Sequence, residues 1–163
     1  MRLFFALWPP HEAARALADW ARATAPESGG RATAEEKIHL TLAFLGEAKP
    51  EKAIAGARRV RGQAHELPVE RAVYWKQNSI IWAGPKDTPP EMLKLAENLQ
   101  RQLYLQEFIL ERRPFAAHVT LVRKAREPRQ LPELPRVEWP VNEFLLVRSI
   151  SGRYEPLERF PIA

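Results

Sequence analysis

The chain has 163 residues, which predicts one domain (residues 1–163) that can bury a core without disulfide or metal staples. It contains no cysteine, which excludes disulfides and thiolate chemistry and suits a reducing compartment. The formal net charge is +5, and 18 of the 25 cationic side chains are arginine, whose planar fork matches phosphate oxygens. A GC-rich genome would give the same arginine content, so composition alone leaves an anionic partner open.

Fifteen prolines divide the chain into segments with clear apolar patterns. Residues 2–8 are aromatic and aliphatic and predict a strand. After two prolines, residues 11–24 have helical spacing, carried by Ala13, Leu17, Trp20 and Ala21. Residues 26–31 predict a loop, and residues 38–46 predict a strand that ends at a glycine.

The middle of the chain continues this alternation. Residues 50–64 predict a basic helix, and residues 71–77 and 79–84 predict two strands of a hairpin. Residues 89–105 predict the clearest helix, because Met92, Ala96, Leu99 and Leu103 recur at helical spacing.

The last third of the chain is mostly extended. Residues 115–123 predict a strand, and a connector with four prolines follows at residues 128–140. Residues 141–150 and 153–162 predict the final extended segments.

An internal repeat relates the two halves of the chain. Each half runs strand, Pro-Pro, helix, loop and a strand headed by His-x-Thr-Leu. Pro10 precedes His39 by 29 residues, and Pro90 precedes His118 by 28. The repeat predicts two pseudo-symmetric lobes whose equivalent strands are able to face each other across a cleft. The order of strand, helix and strand allows either a crossover connection or an α+β meander.

The repeated motif places an imidazole and a hydroxyl on the same side of a strand. Side chains alternate faces in a strand, so His39 and Thr41 share one face while the intervening leucine points the other way. His118 and Thr120 follow the same pattern. A single copy would indicate a structural histidine, whereas two copies at matching places in a repeat indicate one shared site.

Two imidazoles and two hydroxyls suit displacement at phosphorus. Near neutral pH one imidazole can be neutral and the other protonated, which supplies a base and an acid. The threonine hydroxyls can donate hydrogen bonds to nonbridging phosphate oxygens. Arg123 is the candidate for a bidentate phosphate contact. It belongs to a basic cluster that indicates an anionic partner and comprises Arg112, Arg113, Arg123, Lys124, Arg126 and Arg129.

The sequence does not contain the motifs of metal-dependent, nucleotide-binding or serine hydrolase chemistry. Two histidines without a nearby carboxylate pair or cysteine do not form a closed zinc site, and there is no H-E-x-x-H, P-loop or G-x-S-x-G sequence. We therefore expect no metal and no cofactor. His11, at a helix start, and His65, in a loop, are predicted to be solvated surface residues.

The tandem HLTL (39–42) and HVTL (118–121) resemble the paired H-x-[ST]-x signature of the two-histidine (2H) phosphoesterase superfamily. With RLFFAL near the start and GRYEPL near the end, the whole chain resembles the bacterial RNA 2′,3′-cyclic phosphodiesterases, also called 2′-5′ RNA ligases. The resemblance implies a bilobed, pseudo-two-fold α+β fold with antiparallel sheets flanking a central cleft and helices outside.

The resemblance also implies metal-independent opening of a 2′,3′-cyclic phosphate to a 2′-phosphomonoester. His39 would donate a proton to the departing O3′, and His118 would be the base that activates water. Thr41 and Thr120 would hold the phosphate. Phe44, expected on the strand face of Leu42, is a candidate for a nucleobase contact or for the core.

Three functions remain open at this point: the hydrolase, a 2′-5′ RNA ligase acting on tRNA halves, and a non-catalytic basic RNA-binding module. The expected partner is RNA with a 2′,3′-cyclic phosphate end, or a cyclic nucleotide, bound by a monomer. The apolar run Leu3–Trp8 is too short for a signal peptide or a membrane span, so a soluble cytoplasmic protein is expected.

Overall fold

The computed structural model describes residues 1–111 and 114–163, and within these ranges the chain forms three helices and ten strands. The helices are α1 (His11–Ser28), α2 (Pro50–Ala57) and α3 (Pro90–Leu105). The strands are β1 (Arg2–Leu7), β2 (Arg31–Ala32), β3 (Leu40–Glu47), β4 (His65–Val69), β5 (Arg71–Trp75), β6 (Ile80–Gly84), β7 (Val119–Arg123), β8 (Val137–Val141), β9 (Glu143–Ile150) and β10 (Arg153–Pro161). A single 3-10 turn, Glu35–Lys37, precedes β3.

Two antiparallel sheets are built around the two repeats. The first sheet has the order β10-β9-β1-β3, and the second has the order β2-β7-β6-β5. Within each repeat the two strands are neighbours, because β1 pairs with β3 and β6 pairs with β7. The predicted α+β class with antiparallel sheets is confirmed.

Helices α1 and α3 connect the two sheets by packing across them. Helix α1 follows β1 in the chain but lies against β2, β7 and β8, and α3 follows β6 but lies against β3. The predicted apolar stripe of α3 is completely buried: Met92, Ala96, Leu99 and Leu103. Burying each large apolar side chain stabilises the fold by about 1.5–3 kcal/mol. This exchange of helices holds β3 and β7 in fixed relation to each other.

Successive side chains of β1 point alternately toward the main core and toward the opposite side of the sheet. Leu3, Phe5 and Leu7 point into the main hydrophobic core. Phe4 and Ala6 point the other way and form a smaller apolar cluster with residues of β9. None of the helices in the described ranges is both long and apolar enough to cross a membrane.

Two helix boundaries differ from those predicted. Helix α1 continues through Pro26 to Ser28, where a loop was expected, and ends at Gly29 in the left-handed conformation with φ 71°. Helix α2 stops at Ala57 instead of residue 64. The chain then crosses α3 closely, since a Cβ at Gly62 would lie 3.0 Å from Leu95 Cδ1.

The two-stranded sheet β4-β8 was missed because each of its strands contains a proline. A pair of strands tolerates proline, since each strand keeps one edge that makes no ladder hydrogen bonds. The expected loop position of His65 is therefore wrong: His65 begins β4 and is half-buried. The sequence signal was the alternation of β8, whose residues Val137, Trp139 and Val141 are buried.

Candidate active site

A β-bulge directly after the first His-x-Thr motif determines which side chains of β3 face the cleft. Consecutive residues of β1 pair with Thr41 and Ala43, so Leu42 is an extra residue in β3. A bulge reverses the alternation of faces. Phe44 therefore faces the same side as Thr41, and its 67% exposure excludes the core role. The prediction that Phe44 shares the face of Leu42 is wrong.

The same bulge follows the second motif. Consecutive residues of β6 pair with Thr120 and Val122, so Leu121 is the extra residue of β7. Arg123 consequently occupies the position that Phe44 has in the first motif, and it is exposed. The repeat thus extends beyond His-x-Thr to a bulge and one further side chain that faces the cleft.

One cleft of about 880 Å³ lies between β3 and β7. It is lined by all six predicted site residues: His39, Thr41, Phe44, His118, Thr120 and Arg123. The prediction that the two motifs share one site is therefore consistent with their placement. Thr33 also lines the cleft, and its hydroxyl donates a hydrogen bond of 2.9 Å to the carbonyl oxygen of Thr120.

Each imidazole is oriented by the backbone two residues before it. Nδ1 of His39 lies 2.6 Å from the carbonyl oxygen of Lys37, and Nδ1 of His118 lies 2.9 Å from that of Ala116. A carbonyl oxygen can only accept, so Nδ1 carries the proton in both rings. This leaves Nε2 of each ring as the nitrogen that can exchange a proton with a substrate.

Aromatic side chains surround His39 closely. Its ring is stacked on that of Trp8, with centroids 4.9 Å apart and planes at 13°. The rings of Phe4 and Tyr154 each lie 5.2 Å away. Trp8 is itself held by a hydrogen bond of 3.3 Å from its indole nitrogen to the carbonyl oxygen of Glu36.

Burial in this aromatic surrounding lowers the pKa of His39 below its ordinary value of 6.5. The hydrogen bond to the Lys37 carbonyl raises the pKa of His39, but less than burial lowers it. The positive charge of Arg123 and that of His118 lower the pKa of His39 further. Burial and these charges therefore favour a neutral His39, and an anion placed between these groups would oppose the lowering caused by the two charges.

His118 has a more open aromatic environment. Trp75 and Trp82 present their rings nearly perpendicular to it, at centroid distances of 6.3 and 6.2 Å. Arg71 lies over the Trp82 ring, 5.6 Å from its centroid. These tryptophans come from the two strands of the predicted hairpin.

Sequence reasoning missed several cleft residues that come from outside the motifs. The cations among them are Arg2, Arg31 and Lys37, and the aromatic residues are Phe4, Trp75 and Tyr154. Lys124, predicted as part of the basic cluster, also lines the cleft, whereas Arg126 and Arg129 are outside its lining. Arg112 and Arg113 lie outside the described residues. The signal available in the sequence was the alternation of β1, which places Arg2 and Phe4 on one face.

The carboxylates needed for a metal centre are not gathered anywhere in the described part of the chain. Residues 1–111 and 114–163 contain no group of three or more histidine, aspartate, glutamate or cysteine side chains that could hold a metal ion. His11 lies at the start of α1, exposed, with Nδ1 3.7 Å from a carboxylate oxygen of Glu35.

Known proteins are similar to this chain over nearly its full length. Residues 7–82 match the family described as LigT like phosphoesterase. The RNA 2′,3′-cyclic phosphodiesterase of Escherichia coli K12 is 35% identical, over 99% of this chain and 96% of its own length. The chain belongs to the LigT-like phosphoesterase family. A second relative, the RNA 2′,3′-cyclic phosphodiesterase of Thermus thermophilus, is 34% identical over 99% of this chain and 90% of its own.

Solved LigT structures have the same fold. E. coli LigT complexed with 3′-AMP superposes with a TM-score of 0.89 at 33% identity, covering 99% of this chain and 97% of that one. E. coli LigT complexed with phosphate gives a TM-score of 0.84 at 32% identity, covering 99% and 96%. The resemblance to the 2H phosphoesterases is thus confirmed at the level of family and fold.

Proposed function

We propose that this LigT-like phosphoesterase hydrolyses 2′,3′-cyclic phosphate ends of RNA to 2′-phosphomonoesters, with His39 and His118 as the acid and the base. The observation that carries the proposal is the single cleft into which both His-x-Thr motifs project, each imidazole fixed through Nδ1. The relatives named RNA 2′,3′-cyclic phosphodiesterase support the choice of substrate.

The phosphate would lie between the two motifs. The hydroxyls of Thr41 and Thr120 would donate hydrogen bonds to its nonbridging oxygens, where negative charge increases in the transition state. The guanidinium of Arg123 would add a charge-assisted contact. The anion would also raise the pKa of His39 by offsetting the charges that lower it, so that substrate binding favours the protonated imidazole needed for an acid.

The reaction is an in-line displacement. Nε2 of His118 takes a proton from water while the water oxygen forms a bond to phosphorus. The bond from phosphorus to O3′ breaks on the opposite side, and Nε2 of His39 donates its proton to O3′. The product carries the phosphate on O2′, and exchange of one proton with solvent restores both imidazoles.

The test uses an RNA oligonucleotide with a 2′,3′-cyclic phosphate end in the presence of EDTA. We expect turnover to a 2′-phosphomonoester, identified by phosphorus NMR. His39→Ala and His118→Ala should each lose at least about a hundredfold in kcat, the effect of removing one acid–base group. His11→Ala is the matched control, because His11 is exposed and is not part of the cleft lining.

Full activity in either cleft variant would disprove the acid–base pair. Supplying RNA fragments with 5′-hydroxyl and cyclic phosphate ends tests the 2′-5′ ligase, which would use the same site in reverse. RNA binding with steep salt dependence and no turnover would favour the binding module.

We also propose a monomer acting in the cytoplasm; a size-exclusion mass near 18.7 kDa would support the monomer.

A further inference from the structure

The cleft carries more positive charge than its reacting phosphate requires. Among the described residues that line it, none is a carboxylate, and the permanent cations are Arg2, Arg31, Lys37, Arg123 and Lys124. A cyclic phosphodiester carries one negative charge, which Arg123 alone could balance. The remaining cations indicate that the natural ligand brings further negative charge into the cleft.

Two of these cations form an unfavourable pair unless an anion is present. Arg31 of β2 pairs directly opposite Arg123 of β7. Like charges at opposite positions of an antiparallel pair destabilise a sheet. This pair of arginines does not stabilise the fold, and its placement suits the binding of an anion.

The short strand β2 is firmly attached to β7 around Arg31. The Thr33 amide donates to the Leu121 carbonyl over 2.8 Å, and the Arg126 amide donates to the Ser28 carbonyl over 2.9 Å. Gly30 permits the close approach, because a Cβ there would lie 2.6 Å from the carbonyl oxygen of Arg123. These contacts hold the Arg31 backbone in a defined place.

The position of Arg31 is one strand beyond the reacting phosphate. Strand β2 is the outer neighbour of β7 in the second sheet, and neighbouring strands lie about 4.8 Å apart. Arg123 is close enough to His39 for its charge to act on that imidazole. Arg31 lies on the outer side of Arg123, where the next phosphate along a nucleic-acid chain can reach it.

We infer that Arg31 binds the phosphate on the 5′ side of the terminal nucleotide, so that the enzyme distinguishes an RNA end from a free cyclic nucleoside monophosphate. The inference rests on the proposed function, because it assumes that the cyclic phosphate occupies the space between His39 and His118. It assigns to β2, and to the glycine before it, the role of adding a second phosphate site to the cleft.

The test compares two substrates that differ by a single phosphate: a 2′,3′-cyclic nucleoside monophosphate and the same compound phosphorylated at O5′. With the wild-type protein, the 5′-phosphate should raise kcat/KM by at least about tenfold, the effect of one charge-assisted contact. Arg31→Gln should reduce this ratio to within about threefold of one. Arg31→Lys should keep part of it, because the charge remains while the planar fork is lost.

Two control variants distinguish the effect of Arg31 from the effect of removing any other arginine. Arg123→Gln should lower kcat/KM for both substrates and leave their ratio high, since it acts at the reacting phosphate. Arg101→Gln, on the exposed side of α3, should match wild type on both substrates. Thermal melting of each variant shows whether it is folded.

The outcomes distinguish this inference from the proposed function. A wild-type ratio near one, or an Arg31→Gln variant that loses equally on both substrates, would overturn the role of Arg31 while hydrolysis itself stands. A wild-type protein that hydrolyses neither substrate, nor an RNA end, would refute the proposed function. A ratio that falls only in the Arg31 variants supports the second phosphate site.

Discussion

The two His-x-Thr motifs have the same backbone design but different surroundings. Both place a histidine and a threonine on one side of a strand, bond Nδ1 to the carbonyl oxygen two residues earlier, and insert a bulge after the threonine. His39 is enclosed by three aromatic rings at centroid distances of 4.9 to 5.2 Å, whereas the two tryptophans near His118 lie at 6.2 and 6.3 Å.

The comparison shows that the placement of the two imidazoles and their protonation have different structural causes. The repeated backbone fixes where each imidazole and hydroxyl points, and this geometry is alike in the two motifs. Burial, and to a smaller extent neighbouring charges, lower the pKa of His39, and the rings and charges responsible belong to residues outside its motif. A symmetric framework can therefore supply two unlike groups, as an acid–base pair requires.

The largest expected effect on kcat/KM tests whether the threonines of the two motifs have equal roles. Thr41→Val and Thr120→Val should each lower kcat/KM by roughly a hundredfold, because each removes one donor to the charge that develops on the phosphate. Similar losses would support equal roles in the two motifs, whereas an unaffected variant would contradict them. Thr24→Val is the control, since the buried Thr24 hydroxyl has no hydrogen-bond partner in the described structure. Steady-state kinetics measures all three.

Gly30→Ala tests an asymmetry between the sheets, because β2 covers the outer side of β7 whereas β3 is an edge strand. The added Cβ would lie 2.6 Å from both the Arg123 carbonyl oxygen and Val122 Cγ1. We expect the free energy of unfolding to fall by about 1–3 kcal/mol through overpacking. Urea unfolding measures the change, and unchanged stability would contradict the close contact.

Trp8→Ala tests the asymmetry of the two imidazoles. Removing the stacked indole admits water to His39, so the burial that lowers its pKa is relieved and the pKa rises. If His39 is the acid, the alkaline limb of the kcat/KM profile moves to higher pH, because the protonated form persists further. NMR titration of the ring protons measures the shift directly, with the His118 signals as an internal control. A pKa that stays constant or falls would contradict burial as the main cause.

The smallest expected change in stability concerns Phe44, which occupies the position of Arg123 in the other motif. Because its side chain is 67% exposed, Phe44→Ala should change the free energy of unfolding by less than about 0.5 kcal/mol. If the ring stacks on a nucleobase, KM for an RNA end should rise about fivefold, corresponding to about 1 kcal/mol of stacking. Unchanged KM for every terminal base would exclude a stacking role.

Local patterns predicted most of the framework. The helical stripe of α3 and the hairpin β5-β6 follow from spacing and turn residues within one segment, and both are present. The strands β4 and β8 were missed because each contains a proline, and Pro140 of β8 was assigned to the connector. Residues 65–69 and 137–141 are far apart in the chain, so their pairing is defined only by the tertiary structure.

The sequence by itself determined the internal repeat, the order of strand, helix and strand within it, and the four motif residues, because each depends on the order of residues within a short segment. The tertiary structure decided which side of β3 Phe44 occupies, which aromatic rings surround His39, and where Arg31 lies. A bulge is defined by the register of a neighbouring strand, and the surroundings of His39 include Tyr154, which is distant in the chain. Such features arise from pairing and packing between separate segments, and no single segment encodes them.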